Sequence, residues 1–127
     1  MAEYLVDTDI FIWYLRGNEK ARELLHAIDF SISAVTYMEL LQGMRDKREL
    51  RLLKKMITEW GIGVIPVDEA ITSKAIHLME SFSLSHALTM ADALIAATAL
   101  ERGLRLATAN DKHYRFIDAL EIERFRP

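Results

Sequence analysis

The chain predicts an α/β fold built on a parallel sheet, and three features carry that expectation. Short apolar runs of β type alternate with segments of helical periodicity along the whole sequence. The first run, Tyr4-Leu5-Val6, is apolar without alternation, as a strand covered on both faces requires. No repeat, low-complexity stretch or linker interrupts the pattern, so residues 1–127 are expected to form a single domain.

The elements follow in order. After the Tyr4–Val6 strand, Ile10 to Leu15 reads as a helix stopped by Gly17. Glu19 to Ala27 reads as a second helix with Asn18 as its N-cap. Phe30-Ser31-Ile32-Ser33 alternates as a strand should, and Val35 to about Met44 is helical. Arg45-Asp46-Lys47 reads as a charged turn. From Arg48 to Trp60, Leu52, Leu53, Met56 and Ile57 recur at helical spacing. Gly63 to Val67 reads as a strand at a sheet edge, because Pro66 has no N–H for a ladder. Asp68 is placed to cap a helix through about Phe82, with Ser83 to His86 as a connection. Thr89 to Arg102 is strongly helical and Gly103 ends it. Leu104 to Ala107 is a short strand with the polar tip Thr108 to Asp111, and Leu120 to Glu123 offers a fifth strand.

Composition narrows the chemistry. A chain of 127 residues, 51% hydrophobic and 28% charged, is long enough for a real core. Without cysteine, disulfides, zinc ribbons and thiol catalysis are excluded, and a reducing cytoplasm is the expected compartment. The first residues carry no basic segment of signal-peptide type, and no apolar run approaches the ~20 residues of a membrane span, so no membrane partner is expected. The formal net charge of −3 argues against a broad nucleic-acid binder. It leaves room for an acidic centre rimmed by Arg45, Lys47, Arg48, Arg51, Lys54 and Lys55, or by Lys112, His113 and Arg115, although a solvated helix face explains the first group as well.

Three acids stand in apolar surroundings: Asp7 after Tyr4-Leu5-Val6, Glu39 before Leu40-Leu41, and Asp92 within Ala91 to Ala97. A buried carboxylate is costly unless it is paired, hydrogen-bonded or metal-bound, and no Lys or Arg adjoins any of the three. Ligands of open α/β sheets bind beyond the carboxyl ends of the strands, where Asp7, Asn110 and Asp111 lie. Oxygen donors of this kind suit magnesium or manganese. Capping accounts for the same residues in another way. Thr36-x-x-Glu39 and Thr89-x-x-Asp92 have capping-box spacing, and Asp9 is placed to cap the Ile10 helix, with a supporting role at the site still open to it. Thr108 is either a turn residue or a hydroxyl that positions a water or a ligating acid. His26, His77, His86 and His113 show no paired metal spacing and are expected at the surface or in packing.

Four segments carry a family resemblance, in family order: Leu5 to Leu15, Ser33 to Gly43, Ala91 to Ala99, and Leu106 to Tyr114. Together they resemble PIN-domain ribonucleases, specifically the VapC-type toxins of type II toxin–antitoxin pairs. The resemblance implies a PIN-like three-layer α/β/α fold with a central, mostly parallel sheet of four to five strands. It implies Mg²⁺- or Mn²⁺-dependent hydrolysis of RNA to 5′-phosphate and 3′-hydroxyl ends. Asp7 and Asp92 would be the principal metal ligands, with Glu39 bound directly or through water. In the closing motif the family's acids fall at Asn110 and His113, with an acid displaced to Asp111, so the fourth ligand is Asp111 or Asn110. Thr8, Asp9, Thr108 and Asn110 are the supporting or substrate-side residues. The implied partners are an RNA substrate, a cognate antitoxin seated along Leu40 to Trp60, and a second copy of the chain as a homodimer. Two alternatives stand beside this reading. Asp7-Thr8-Asp9 mimics the nucleophile motif of haloacid-dehalogenase-type phosphatases, which leaves Glu39 and Asp92 unexplained. The fold could also serve as a non-catalytic interaction module.

Overall fold

The computed structural model describes residues 2–127. Five strands, β1 (Tyr4–Val6), β2 (Phe30–Ser33), β3 (Gly63–Ile65), β4 (Arg105–Thr108) and β5 (Ile122–Arg124), form one sheet in the order β3-β2-β1-β4-β5. All four pairings are parallel. The expected α/β architecture is thus realised with the sheet wholly parallel. β3 lies at an edge, as Pro66 requires. β4 and β5 begin one and two residues later than the apolar runs suggest.

Six helices cover the sheet: α1 (Thr8–Leu15), α2 (Glu19–Ala27), α3 (Ala34–Gln42), α4 (Lys47–Glu59), α5 (Glu69–His86) and α6 (Met90–Arg102). Alternation along β1 divides the core. Leu5 joins Leu106, Ile65 and the α5 and α6 residues Ile71, Leu78, Ile95 and Ala96 on one face. Val6 joins Ile32, Ala107 and the α1, α2 and α4 residues Phe11, Leu25, Leu53 and Ile57 on the other. Both β1 residues are fully buried, as their uninterrupted apolarity foretold.

Three further features depart from expectation. Asp46 is not in a free turn: its carboxylate caps α4 by accepting from the Glu49 N–H at 2.8 Å. The segment Ser83 to His86, expected as a connection, continues α5, which ends only where Ala87 takes the left-handed conformation at φ 55°. Packing overrides local polarity there, since His86 stacks on Phe116 with centroids 4.3 Å apart and Phe82 meets Phe116 at 5.0 Å. Leu52, grouped by periodicity with the core residues of α4, is instead 52% exposed.

Candidate active site

The strand order places a switch point between β1 and β4: from β1 the chain runs outward to β2 and β3, and it returns to β4 on the other side. Crevices of parallel sheets open there, beyond the carboxyl ends. Val6 is in register with Ala107, so Asp7 and Thr108 meet side by side. Thr108 Oγ1 donates to Asp7 Oδ2 at 2.8 Å, and the Thr8 N–H donates to Asp7 Oδ1 at 2.9 Å. Asp7 is therefore the N-cap of α1, the role expected of Asp9. Asp9 lies in the first turn and faces the β4 tip. Its carboxylate accepts from Asn110 Nδ2 at 2.7 Å and from the Ala109 N–H at 3.2 Å.

Glu39 is not a capping-box acid. Ser33 caps α3, with Oγ accepting from the Val35 N–H at 3.0 Å, because the helix begins directly where β2 ends. Thr36 is buried one turn into that helix, and Glu39 Oε1 accepts from Thr8 Oγ1 at 2.7 Å. The carboxylate of Glu39 is thereby tied to the residue that follows Asp7. Thr89 does cap α6, accepting from the Asp92 N–H at 3.2 Å. The Asp92 side chain, however, turns to Tyr114 and His113: Tyr114 Oη donates to Oδ1 at 3.0 Å, and His113 Nδ1 lies 3.2 Å from Oδ2.

The electrostatics mark this centre off from the rest of the surface. Burial pushes the Asp7 carboxyl up to about 7, and the neighbouring charge of Asp9 adds to that; the bonds from Thr108 and Thr8 oppose it only in part. Asp92 contributes further repulsion. Asp9 is raised as well, again by burial first. The Tyr114 phenol is raised far above its ordinary value, by burial and then by Asp7 and Asp92, so at neutral pH it is a fixed donor. Among the described residues no Lys or Arg pairs with Asp7, Asp9, Glu39 or Asp92, and Arg126 reaches only Asp111, at 3.3 Å.

Asp7, Asp9 and Glu39 thus belong to one network with Thr8, Thr108 and Asn110, and Asp92 stands beside it, held by Tyr114 and His113. Asp111 sits in the turn Asp111–His113 and is held by Arg126. Among the described residues no three His, Cys, Asp or Glu are gathered tightly enough to ligate one ion as they stand. Each acid instead leans on a hydroxyl, amide or imidazole. A site using two of the acids, with waters and substrate phosphate oxygens completing the sphere, matches this donor set, since magnesium is usually held that way. Tyr114 is the site residue that the sequence pattern left unmarked, its only signal being its place in the closing motif, while His113, expected at the surface, in packing or in a basic rim, lies against Asp92. His26 and His86 do serve in packing, against Trp60 and Phe116.

A groove of about 990 Å³ runs from Glu39 along α1, α3 and α4. Ile12, Leu15, Leu52, Met56 and Trp60 give it an apolar floor, and Arg16, Arg45 and Lys55 add positive charge. No helix of the described residues is long and apolar enough to cross a membrane.

Comparison with known proteins agrees with this geometry. The PIN domain family model matches residues 4–119. Ribonuclease VapC10 of Mycobacterium tuberculosis is 36% identical over 125 residues, spanning 92% of this chain and 90% of that relative. A toxin–antitoxin complex from Klebsiella pneumoniae contains a chain of similar fold, with a TM-score of 0.79 and 26% identity over 92% of this chain and 94% of that one. The DNA-bound VapBC complex of Salmonella typhimurium gives a TM-score of 0.84 over 98% of both chains, at 24% identity. A full-length match of this kind leaves no place for a dehalogenase-type phosphatase fold. The chain belongs to the PIN domain family, as a relative of the VapC ribonucleases.

Proposed function

We propose that the protein is an endoribonuclease toxin that hydrolyses RNA phosphodiesters with Mg²⁺ or Mn²⁺ and is held inactive by a cognate antitoxin. The observation that supports this most is the Asp7–Thr108 bridge at the β1/β4 switch point, with Asp9, Glu39 and Asp92 around it, in a chain 36% identical to a VapC ribonuclease. An interaction module gives no reason to keep Asp7 and Asp9 buried side by side at such electrostatic cost.

Asp7 and Asp92 are the residues that would hold the cation, Asp7 on the β1 end and Asp92 on the first turn of α6. Each carboxylate has four lone-pair positions, and the bonds described above leave some of them free. When bound, the cation supplies Lewis-acid stabilisation of the phosphate and an activated water. Glu39, exposed and steered by Thr8, is placed to orient the attacking water and take its proton. Thr108 and Asn110 fix Asp7 and Asp9. Asp111, engaged by Arg126, adds a further carboxylate to the acidic rim. In-line displacement of this kind leaves a 5′-phosphate and a 3′-hydroxyl, with the 2′-hydroxyl a bystander. The work is cytoplasmic, where RNA is met, and a homodimer is the working unit.

The groove beside Glu39 is the seat proposed for the antitoxin: apolar side chains of the inhibitor would fill it, and its end would reach the acids. Leu52→Asp is expected to weaken antitoxin binding at least about tenfold, since it buries a charge in the complex, while RNA cleavage by the free protein is retained. Titration of the purified pair measures this; unchanged affinity would place the antitoxin elsewhere. The ribonuclease reading itself is tested by incubating purified protein with cellular RNA and sequencing the new ends. It predicts discrete 5′-phosphate ends, and an RNA left intact under all divalent metals would sink it.

A further inference from the structure

We propose that Tyr114 is a positioning residue whose hydroxyl fixes Asp92 beside Asp7, so that the two acids present a single cation site. The inference rests on the metal reading of those acids. Tyr114 is fully buried and is the largest such side chain in the protein. Its ring belongs to the core layer formed with Leu5, Ala93, Ile95 and Leu106. Phenylalanine would fill that space equally well. The hydroxyl is what packing does not need, and it is spent on Asp92 Oδ1 at 3.0 Å while facing the Asp7 carboxyl.

The backbone delivers it there deliberately. The single turn Asp111–His113 is closed by the Tyr114 N–H donating to the Asp111 carbonyl at 3.0 Å, and Ile117 N–H donates to the Tyr114 carbonyl at 2.9 Å. The Cα of Tyr114 is thus anchored on both sides. Asp92 is gripped at its second oxygen by His113 Nδ1, 3.2 Å away on the solvent side. Without the phenol, Asp92 on α6 would be held from that exposed side alone. Asp7 is fixed by Thr8 and Thr108, on elements that do not otherwise bond to the Asp92 side chain. Tyr114 is therefore the buried group that holds Asp92 on its inner side, towards Asp7. Partners of this kind, which orient a ligand without touching the ion, typically change metal affinity or activity by about 10- to 100-fold when removed.

Tyr114→Phe tests it, with Mn²⁺ as the probe. Calorimetric titration is expected to show Mn²⁺ binding weakened at least about tenfold. Cleavage at saturating RNA should fall with little change in KM, and the circular dichroism spectrum should stay that of the wild type. A folded variant with unchanged Mn²⁺ affinity and unchanged rate overturns the role of Tyr114 alone, provided that the wild type binds Mn²⁺ and Asp92→Asn does not. A wild type that binds no Mn²⁺ overturns the metal reading and this inference with it. Should the variant fail to fold, the wild type still decides the question. The ¹³Cζ resonance of Tyr114 is expected to move on Mg²⁺ titration and to stay fixed in Asp92→Asn, and a resonance indifferent to Mg²⁺ in the wild type overturns the proposal.

Discussion

Asp7→Asn is expected to reduce RNA cleavage by at least about 10³-fold and, at the same time, to stabilise the metal-free protein at pH 8 by roughly 4 kcal/mol. The two effects have one cause. Asp7 is 6% exposed and carries no cationic partner, so its ionised form is paid for by the rest of the fold. Asparagine fits the site without new strain. Its Oδ1 can keep the cap bond from the Thr8 N–H, and asparagine is among the best N-cap residues. Its Nδ2 can donate to Thr108 Oγ1, which already accepts from the Asn110 N–H and has a second lone pair. The Thr108 proton is then free to turn to Asp9 Oδ2, 3.4 Å away. A residue that weakens the fold and is needed for activity is a functional residue. Urea unfolding in EDTA together with an RNA cleavage assay measures both quantities, and a destabilised but active Asp7→Asn would contradict the assignment twice.

The second large effect is on pH. The Asp7 carboxyl titrates near 7 in the folded protein and near 3.8 in the unfolded chain. Between those values the folded state holds a proton that the unfolded state has lost, so stability falls as pH rises from about 4 to about 7, and is level above that. At 1.36 kcal/mol per pH unit the loss attributable to Asp7 is roughly 4 kcal/mol. Asp9, also raised by burial, acts in the same direction. Other groups titrate across this range, so the quantity to measure is the difference between the wild type and Asp7→Asn. That difference should be near zero at pH 4, grow to about pH 7 and stay level to pH 8. Millimolar Mg²⁺ or Mn²⁺ at pH 8 should return part of it to the wild type, since a cation at 100 times its dissociation constant contributes about 2.7 kcal/mol. A wild-type stability that rises steadily from pH 5 to pH 8 in EDTA, with the variant parallel to it, would show Asp7 to be ionised without cost.

Much of this centre is legible in the chain because an acid set in apolar sequence is costly to bury and packing alone gives no reason for it. Asp7, Glu39 and Asp92 stand out that way, and β1, α2 and β2 have the bounds that their patterns require. What the pattern leaves undecided is which of several equivalent caps is used. Asp7 and Asp9 both precede the same helix, and only the register of Val6 with Ala107 gives Asp7 the cap and turns Asp9 towards Asn110. Thr36-x-x-Glu39 has the spacing of a capping box, but β2 runs straight into α3 and Ser33 takes the cap instead. Tyr114 and His113 reach Asp92 across about twenty residues of chain through the fold alone, which no local spacing records. For the same reason the acid expected in the closing motif proves to be paired with Arg126, a residue of the C-terminal tail.

The central claim is that these acids form a divalent-metal-dependent ribonuclease centre. Single-turnover cleavage of RNA by purified protein, with EDTA, Mg²⁺ or Mn²⁺, beside a folded Asp92→Asn variant, tests it most directly. The account predicts cleavage only with a divalent cation and none above background in Asp92→Asn. Cleavage that persists in EDTA, or that survives undiminished in Asp92→Asn, would contradict it.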